Sequence, residues 1–185
     1  NIGNFLAFTP ELGMIALAMT LLMTSGEFDL SVGSLFGFAP IIMWTLLNTG
    51  TTSLEVGFII ALLIALVVGF VNGWFVTKLK IPSFLVTLGM LLVIRGFSLY
   101  ITDGFPQRTW TAESPLLDLI VGEFTVGQLR IYASLIWFIV FALILGYVLT
   151  QSKAGNWIQA SGGNPNSARA RGVRVSATKI GLFML

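Results

Sequence analysis

The polar residues best suited to chemistry in this chain are concentrated in one short stretch, GEFDLSVGS at residues 26–34. It carries the carboxylates Glu27 and Asp29 and the hydroxyls Ser31 and Ser34, without any lysine or arginine. Such groups can bind an ion, hydrogen-bond a hydroxyl-rich solute or cap the end of a helix. The chain has no histidine and no cysteine, which removes the commonest metal ligand, the usual acid–base group and any disulfide. We therefore predict no catalytic centre and no metal site.

This stretch separates two apolar runs, residues 12–24 and 35–47. Each run has about 13 residues and would extend about 20 Å as a helix, against about 30 Å for the hydrocarbon core of a membrane. We therefore interpret the stretch as a break between helices that lies partly inside the membrane. Irregular backbone at that depth must be surrounded by protein or by a water-filled cavity, and broken helices often line transport pathways. The alternative is an ordinary polar loop at the membrane surface.

The overall composition is that of a membrane protein. Of the 185 residues, 56% are hydrophobic and only 10% are charged, and the mean hydropathy is +0.91. A soluble domain usually has about 25% charged residues. We predict an all-α polytopic membrane protein, a bundle of transmembrane helices in which residues 1–185 form a single domain. Because the chain starts at Asn1 and stops within an apolar run, we expect it to be a fragment of a longer protein.

The apolar runs predict about five complete membrane spans and the start of a sixth. Pro10 and Glu11 suit the start of the first helix, and Pro40 should kink the second. A longer polar loop at 103–130 is expected to contain a short helix around 116–121. The predicted spans are residues 12–24, 35–47, 56–76, 83–102 and 131–149, with a sixth that begins near Ile180.

Two of these spans contain an amide or a charged side chain. In the third, Asn72 lies between Gly69 and Gly73, whose spacing of four allows another helix backbone to approach closely. Asn72 could make a packing hydrogen bond or face a pathway. In the fourth, Arg95 is a functional candidate because an ionisable group within a span is costly, although its long side chain could also reach the far membrane surface.

The basic residues give the orientation. The loops 77–82 and 151–178 contain lysines and arginines and no acid, whereas 103–130 has four acids and two arginines. Loops rich in lysine and arginine lie in the cytoplasm. Two spans separate the basic loops, so both lie on the same side, which we predict to be cytoplasmic. Residues 48–53 and 103–130 are then outside.

The second basic loop contains the signals of one short capped helix. A glycine pair at 162–163 is typical of a turn, Asn164 is a good N-cap, and Pro165 suits the first helical position. The predicted helix covers residues 167–171 and ends at Gly172. A helix this short is unstable alone in water. It must dock, either on its own membrane domain with its arginines toward anionic lipid, or in a partner protein.

Several blocks in the same order resemble the membrane permease subunit of bacterial ABC importers for simple sugars, of the ribose, xylose and galactose type. Residues 26–34 are similar to that family's signature, G-(G/E)-(I/F)-D-L-S-V-G-S. Similar in turn are Asn72-Gly73, IPSFLVTLG at 81–89, Arg95-Gly96 and GGNPNSARARGV at 162–173. The last block departs from the family's G-G-N-x-x-A-A-R-x-x-G-I with Ser167 where alanine is common and Arg171 just before the glycine. The resemblance covers nearly the whole chain. The sugar permeases are related in turn to the branched-chain amino acid permeases.

The resemblance implies one membrane subunit of a pump in the bacterial cell (inner) membrane. The implied partners are cytoplasmic ABC ATP-binding subunits, a second permease copy in a homo- or heterodimer, and a periplasmic or lipid-anchored sugar-binding protein, with membrane lipid and no nucleic acid. The chain lacks a G-x-x-x-x-G-K-[ST] loop, so ATP hydrolysis would belong to a partner. We expect no enzymatic activity and no cofactor in this chain.

The resemblance also suggests roles for individual residues. The short helix would be the coupling helix that contacts the ATPase, through Gly163, Asn164, Ala168, Arg169, Arg171 and Gly172. The structural residues of the motifs would be Gly26, Glu27, Gly33, Gly69 and Gly73. The candidates for the substrate pathway are Asp29, Ser31, Asn72 and Arg95, because a hydroxyl-rich solute needs hydrogen-bonding side chains in a low-dielectric setting.

Other interpretations stay open. Asp29 could instead cap the following helix through the amides of residues 31–33. At the level of function, the chain could be an ion- or proton-coupled secondary carrier for a small polar solute that uses Glu27, Asp29 and Arg95. It could also be a purely structural membrane subunit.

Overall fold

The apolar runs fold into helices that pack side by side, in a computed structural model that describes residues 2–50, 52–105, 114–126 and 129–185. Helices α3, α4 and α6 are long and apolar enough to cross a membrane. The predicted all-α polytopic architecture is therefore confirmed, with one small hairpin added. The elements in chain order are α1 (Ile2–Thr24), α2 (Val32–Asn48), α3 (Leu54–Lys78), α4 (Ser83–Thr102), α5 (Pro115–Val121), β1 (Glu123–Val126), β2 (Leu129–Tyr132), α6 (Ala133–Gln151), α7 (Lys153–Gly163), α8 (Pro165–Ala170) and α9 (Val175–Phe183).

The first helix is longer than predicted. Helix α1 begins at Ile2 and has 23 residues, so Pro10 lies inside it and the predicted start at Pro10–Glu11 is wrong. A proline within an apolar helix removes one backbone hydrogen bond, which neighbouring helices make tolerable, and Pro10 is fully buried. At 1.5 Å per residue α1 extends about 34 Å. Of the two runs predicted to be too short, only α2, with 17 residues, stays below the thickness of the hydrocarbon core.

The segment between α4 and α6 is more ordered than a loop. The predicted short helix is confirmed as α5, and Ser114 caps it by accepting a hydrogen bond from the amide of Leu116 at 3.2 Å. Strands β1 and β2 then pair antiparallel, which the sequence analysis missed. Because β2 includes Ile131 and Tyr132, the next membrane helix begins two residues later than predicted. Residues 106–113 and 127–128 of the predicted loop lie outside the described residues.

The connections at each end of the bundle are tied together. At one end, the Ser114 hydroxyl donates to Glu55 Oε1 at 2.6 Å, which joins the segment after α4 to the first turn of α3. At the other end, the amide of Phe28 donates to Ser83 Oγ at 3.2 Å, at the start of α4. A buried apolar cluster lies at this second end and joins α1, α3, α7 and α9. Its members are Leu21, Leu22, Val76, Ile158, Leu182 and Phe183.

The second basic loop contains more helix than predicted. The pair Gly162–Gly163 ends α7 instead of forming a turn, so the turn prediction is wrong. Helix α9 begins at Val175, ahead of the predicted start near Ile180. Ser152 begins α7 by accepting a hydrogen bond from the amide of Gly155. The buried side chain of Ile158 then fixes one face of α7 against the bundle.

The predicted close approach at Gly69 and Gly73 is confirmed, and the partner is α9. A Cβ at Gly69 would overlap the carbonyl oxygen of Phe183, and one at Gly73 would lie 2.8 Å from the Cα of Ile180. Both obstacles are backbone atoms, so a rotamer change cannot make room for a side chain at either glycine. The two glycines therefore set the distance between α3 and α9.

We expect Gly69→Ala to lower the free energy of unfolding by about 1–3 kcal/mol, because the added methyl group must displace the backbone of α9. The measurement is the thermal unfolding midpoint of the purified full-length permease in detergent. Gly89→Ala in α4 is the matched control, since nothing lies within 4 Å of a Cβ at Gly89. Equal midpoints for the two variants would contradict this packing.

Candidate functional site

The predicted break between helices is present, and its polar groups are buried in protein. Helix α1 ends at Thr24 and α2 begins at Val32. Gly26 has a φ of +84°, in the left-handed region that favours glycine, and turns the chain there. Ser25 is 0% exposed, and its hydroxyl donates to the carbonyl of Leu22 at 2.7 Å. The break therefore differs from an ordinary solvated surface loop.

The centre of the break is a hydrogen-bond network of Asp29, Ser31 and Asn72. Asp29 Oδ1 accepts from the amide of Ser31 at 2.7 Å and from its hydroxyl at 2.6 Å. The amide nitrogen of Asn72 donates to Ser31 Oγ at 3.0 Å and to Asp29 Oδ2 at 3.3 Å. The three residues are 9%, 1% and 0% exposed, in that order. The network holds the break against α3.

This arrangement shows what Asp29 does locally. Its carboxylate bonds to the chain two residues ahead, as aspartate does in tight turns. Ser31 is the N-cap of α2 but makes no side-chain capping bond, because its hydroxyl is directed to Asp29. Asn72 Oδ1 is buried and has no hydrogen-bond partner among the described residues. The observed contacts give Asp29 a role in positioning the break; contact with a solute stays a prediction.

Glu27 forms an ion pair that the sequence analysis did not anticipate. Its Oε1 lies 2.5 Å from Nζ of Lys179, and the two side chains are 14% and 11% exposed. The partners are 152 positions apart in the chain. The available signal for Lys179 was an ionisable residue directly before the apolar run at the end of the chain. The pair joins the break directly to α9.

Helix α7 contacts the same break. A Cβ at Gly162 would overlap the carbonyl oxygen of Thr24, and one at Gly26 would lie 3.7 Å from the Cα of Gly162. The close approach requires glycine at position 162. Gly163, by contrast, has open space around it. Of the predicted glycine pair, the structure therefore gives a packing role to the first.

The predicted short helix is confirmed as α8, with the predicted cap. Asn164 Oδ1 accepts from the amides of Asn166 at 3.1 Å and Ser167 at 3.0 Å. Pro165 is at the start, so the helix begins two residues earlier than predicted, and it ends before Gly172, whose φ is +84°. The end at glycine follows from that left-handed conformation.

Helix α8 lies against its own membrane domain and leaves its arginines outside. Ala168 is 4% exposed and provides the buried contact. Arg169 and Arg171 are exposed, and an Arg169 guanidinium nitrogen donates to Asn166 Oδ1 at 2.9 Å. A cavity of about 410 Å³ separates this side of α8 from the break, and Lys80, Arg169, Glu27 and Lys179 are among its lining residues.

Arg95 lies apart from the network of Asp29. It lines a second groove, of about 430 Å³, between α2 and α4. Gly33, Ser34, Gly37 and Ser98 line the same groove. Within the described ranges Arg95 makes no ion pair. The four predicted pathway residues thus fall into one buried cluster of three and one separate groove.

The described parts of the chain contain no group of three histidine, cysteine, aspartate or glutamate side chains that could hold a metal ion. The acids of the break are committed to other contacts, Glu27 to Lys179 and Asp29 to Ser31 and Asn72. The chemistry available at the break is therefore hydrogen bonding and ion pairing within the protein. The groove at Arg95 is more accessible from outside the protein than the network of Asp29, since Arg95 is exposed.

Comparison with known proteins gives a match along the whole chain. The model of the family described as branched-chain amino acid transport system / permease component matches residues 1–185. The chain is 31% identical to the xylose/arabinose import permease protein XylH of Sulfolobus acidocaldarius, over 100% of this chain and 51% of that protein.

Two further relatives are similar to the same degree. The identity is 32% to the L-arabinose ABC transporter permease protein AraH of Azospirillum brasilense, over 100% of this chain and 52% of that protein. It is 34% to the autoinducer 2 import system permease protein LsrC of Escherichia coli, over 93% and 48%. The chain spans about half the length of these curated relatives. No solved structure matches it.

We expect Asp29→Ala to open the break, because the Ser31 amide and the Asn72 side chain lose a buried acceptor. Each buried donor left unsatisfied costs about 1–3 kcal/mol. The measurement is maleimide labelling of a single thiol introduced by Ser25→Cys, a position that is 0% exposed. The thiol should be protected with Asp29 present and should react in the Asp29→Ala background.

Asp118→Ala is the control, because Asp118 is exposed on α5, on the far side of the bundle. It should leave the thiol protected and the unfolding midpoint unchanged. If the thiol stays protected in Asp29→Ala as well, the network does not hold the break.

Proposed function

The chain belongs to the family of branched-chain amino acid transport system permease components, and we propose that it forms the transmembrane pathway of an ATP-driven ABC importer for a simple sugar. The resemblance drawn from the ordered sequence blocks is confirmed at the level of the family. The chain is a multi-pass protein of the cell membrane. The energy source, the solute and the partners are the content of the proposal.

The observation that carries the proposal is helix α8. A capped helix of six residues is too short to persist alone, yet α8 is held on the membrane domain by Ala168 and presents Arg169 and Arg171 outward. An exposed pair of arginines on a capped helix and its C-cap suits contact with a protein partner. In a family of transport permeases, the partner it fits is a cytoplasmic ATP-binding subunit.

A simple sugar is the proposed solute because of the relatives. Those of similar identity are named for the import of xylose and arabinose, L-arabinose, and autoinducer 2. Sugars carry several hydroxyl groups, which are recognised by directed donors and acceptors. The groove lined by Arg95, Ser34 and Ser98 offers such groups beside the glycines of α2. We place the solute contact there, with the Asp29 network as its support.

The proposed complex follows from what the chain lacks and exposes. It has no phosphate-binding G-x-x-x-x-G-K-[ST] loop, so two ATP-binding subunits would hydrolyse ATP. A second permease copy would complete the pathway, and a sugar-binding protein outside would deliver the solute. Lys80 of the first basic loop and Arg169 of the second line the same cavity. This supports the placement of both loops on one side of the membrane, the cytoplasmic side.

We expect a thiol introduced by Arg169→Cys to form a disulfide with a single cysteine near the nucleotide-site surface of the ATP-binding subunit, in an amount that changes with nucleotide. The full-length permease is expressed with that subunit, and the product is measured by non-reducing gel electrophoresis. Lys153→Cys is the control, because Lys153 lies at the start of α7 against Trp157 and not on α8. Free reaction of the thiol at 169 with a bulky aqueous maleimide, without capture of the subunit, would refute the coupling role.

We expect Arg95→Gln to lower sugar uptake about tenfold or more while the binding-protein-stimulated ATP hydrolysis is retained, because a donor in the groove is lost. Uptake of radiolabelled sugar into proteoliposomes measures this. Gly96→Ala is the neighbouring control, since a Cβ there meets open space. Equal uptake in both variants would remove the groove from the pathway.

A further inference from the structure

The pair Glu27–Lys179 is the one close contact of opposite charges that joins the break to the segment carrying α8, among the residues the structure describes. Its 2.5 Å separation and its low exposure mean that both charges are largely removed from water. A buried pair is costly to separate, because each partner is then left without compensation. The contact therefore behaves as a stiff connection between two parts of the chain that are distant in sequence.

The position of Lys179 links it to α8 over a short path. Helix α8 ends at Ala170 with Arg171 as its C-cap, and the amide of Val173 donates back to the carbonyl of Ala168 at 3.0 Å. Helix α9 begins at Val175, and Lys179 is one turn further along. A displacement of α8 thus reaches Lys179 through a tight turn and a single helical turn.

The path from Glu27, the other partner of the pair, to the centre of the break is equally short. Glu27 is two residues before Asp29, whose carboxylate holds Ser31 and Asn72. Two further contacts hold the same region, since α9 packs on Gly73 next to Asn72, and Gly162 of α7 packs on Thr24. These are apolar or backbone contacts, which can slide. The ion pair is the directional one.

We propose that Glu27 and Lys179 are positioning residues that transmit the movement of α8 to the break between α1 and α2. The inference rests on the proposed function and goes beyond it, because it assigns the mechanical connection to two named side chains. The pair stays closed through the cycle, so that α9 and the break move together. Without the pair, α8 can still move with the ATPase, but this movement is not transmitted to the break and the pathway does not change.

The test uses the full-length permease, its ATP-binding subunits and its sugar-binding protein in proteoliposomes. The quantity measured is sugar transported per ATP hydrolysed. We expect Glu27→Gln and Lys179→Gln to lower this ratio about tenfold or more, with ATP hydrolysis within about twofold of wild type. The exchange Glu27→Lys with Lys179→Glu should restore at least half of the ratio. Lys78→Gln, an exposed lysine at the end of α3, is the control and should change nothing.

An unchanged ratio in the single variants, or a lost ratio that the exchange does not restore, overturns the inference while the proposed function stands. A wild-type complex that shows no ATP-dependent uptake overturns the proposed function, and this inference with it. The two failures are therefore distinguishable.

A second measurement keeps Glu27 and Lys179 unchanged, so it does not depend on the folding of the variants that alter the pair. Spin labels are placed through Phe28→Cys and Ala177→Cys, both exposed positions beside the pair. Their dipolar broadening should be the same in the nucleotide-free and ATP-trapped complexes, because the pair stays closed. A change in broadening between the two states shows that the pair separates, and contradicts the inference.

Discussion

The fold depends on satisfying a buried carboxylate where two helices are interrupted. Asp29 is 9% exposed, and the protein surrounds it with the Ser31 amide, the Ser31 hydroxyl and the Asn72 amide. In a low-dielectric setting such a group is tolerated only with its hydrogen bonds made. Because the donors come from the break and from α3, the requirement fixes where α2 starts and how it lies on α3.

The segment that contains α7, α8 and α9 assembles around that fixed point. Helix α7 approaches through Gly162, α9 through Lys179, and α9 packs on α3 at Gly69 and Gly73. Helix α8 lies between α7 and α9 in the chain, and its one small buried side chain, Ala168, packs against the domain. The break and the segment of α7 to α9 are thus neighbours in space although most of the chain separates them. This adjacency gives a proposed ATP-driven pump a short path from its cytoplasmic contact to its pathway.

Much of this arrangement was accessible from the sequence, and the remainder has identifiable reasons. The polar break, the close approach at Gly69 and Gly73, and the cap of α8 at Asn164 follow from local patterns of residue type and spacing, and are present. Local patterns gave the wrong start of α1, because burial in a bundle overrides the preference of proline for a first turn. The ion pair of Lys179 could not be found from local patterns, since it joins residues 152 positions apart. The contacts of the break with α7 and α9 are likewise set by packing between distant segments.

The measurement that tests the central claim most directly is the energy dependence of uptake by the reconstituted full-length transporter. Proteoliposomes with ATP available to the ATP-binding subunits are compared with and without ionophores that collapse proton and sodium gradients. An ATP-driven importer takes up sugar only when ATP is hydrolysed, and uptake survives the ionophores. Uptake that needs no ATP and disappears when the gradients collapse would contradict the account and would make the chain an ion-coupled carrier.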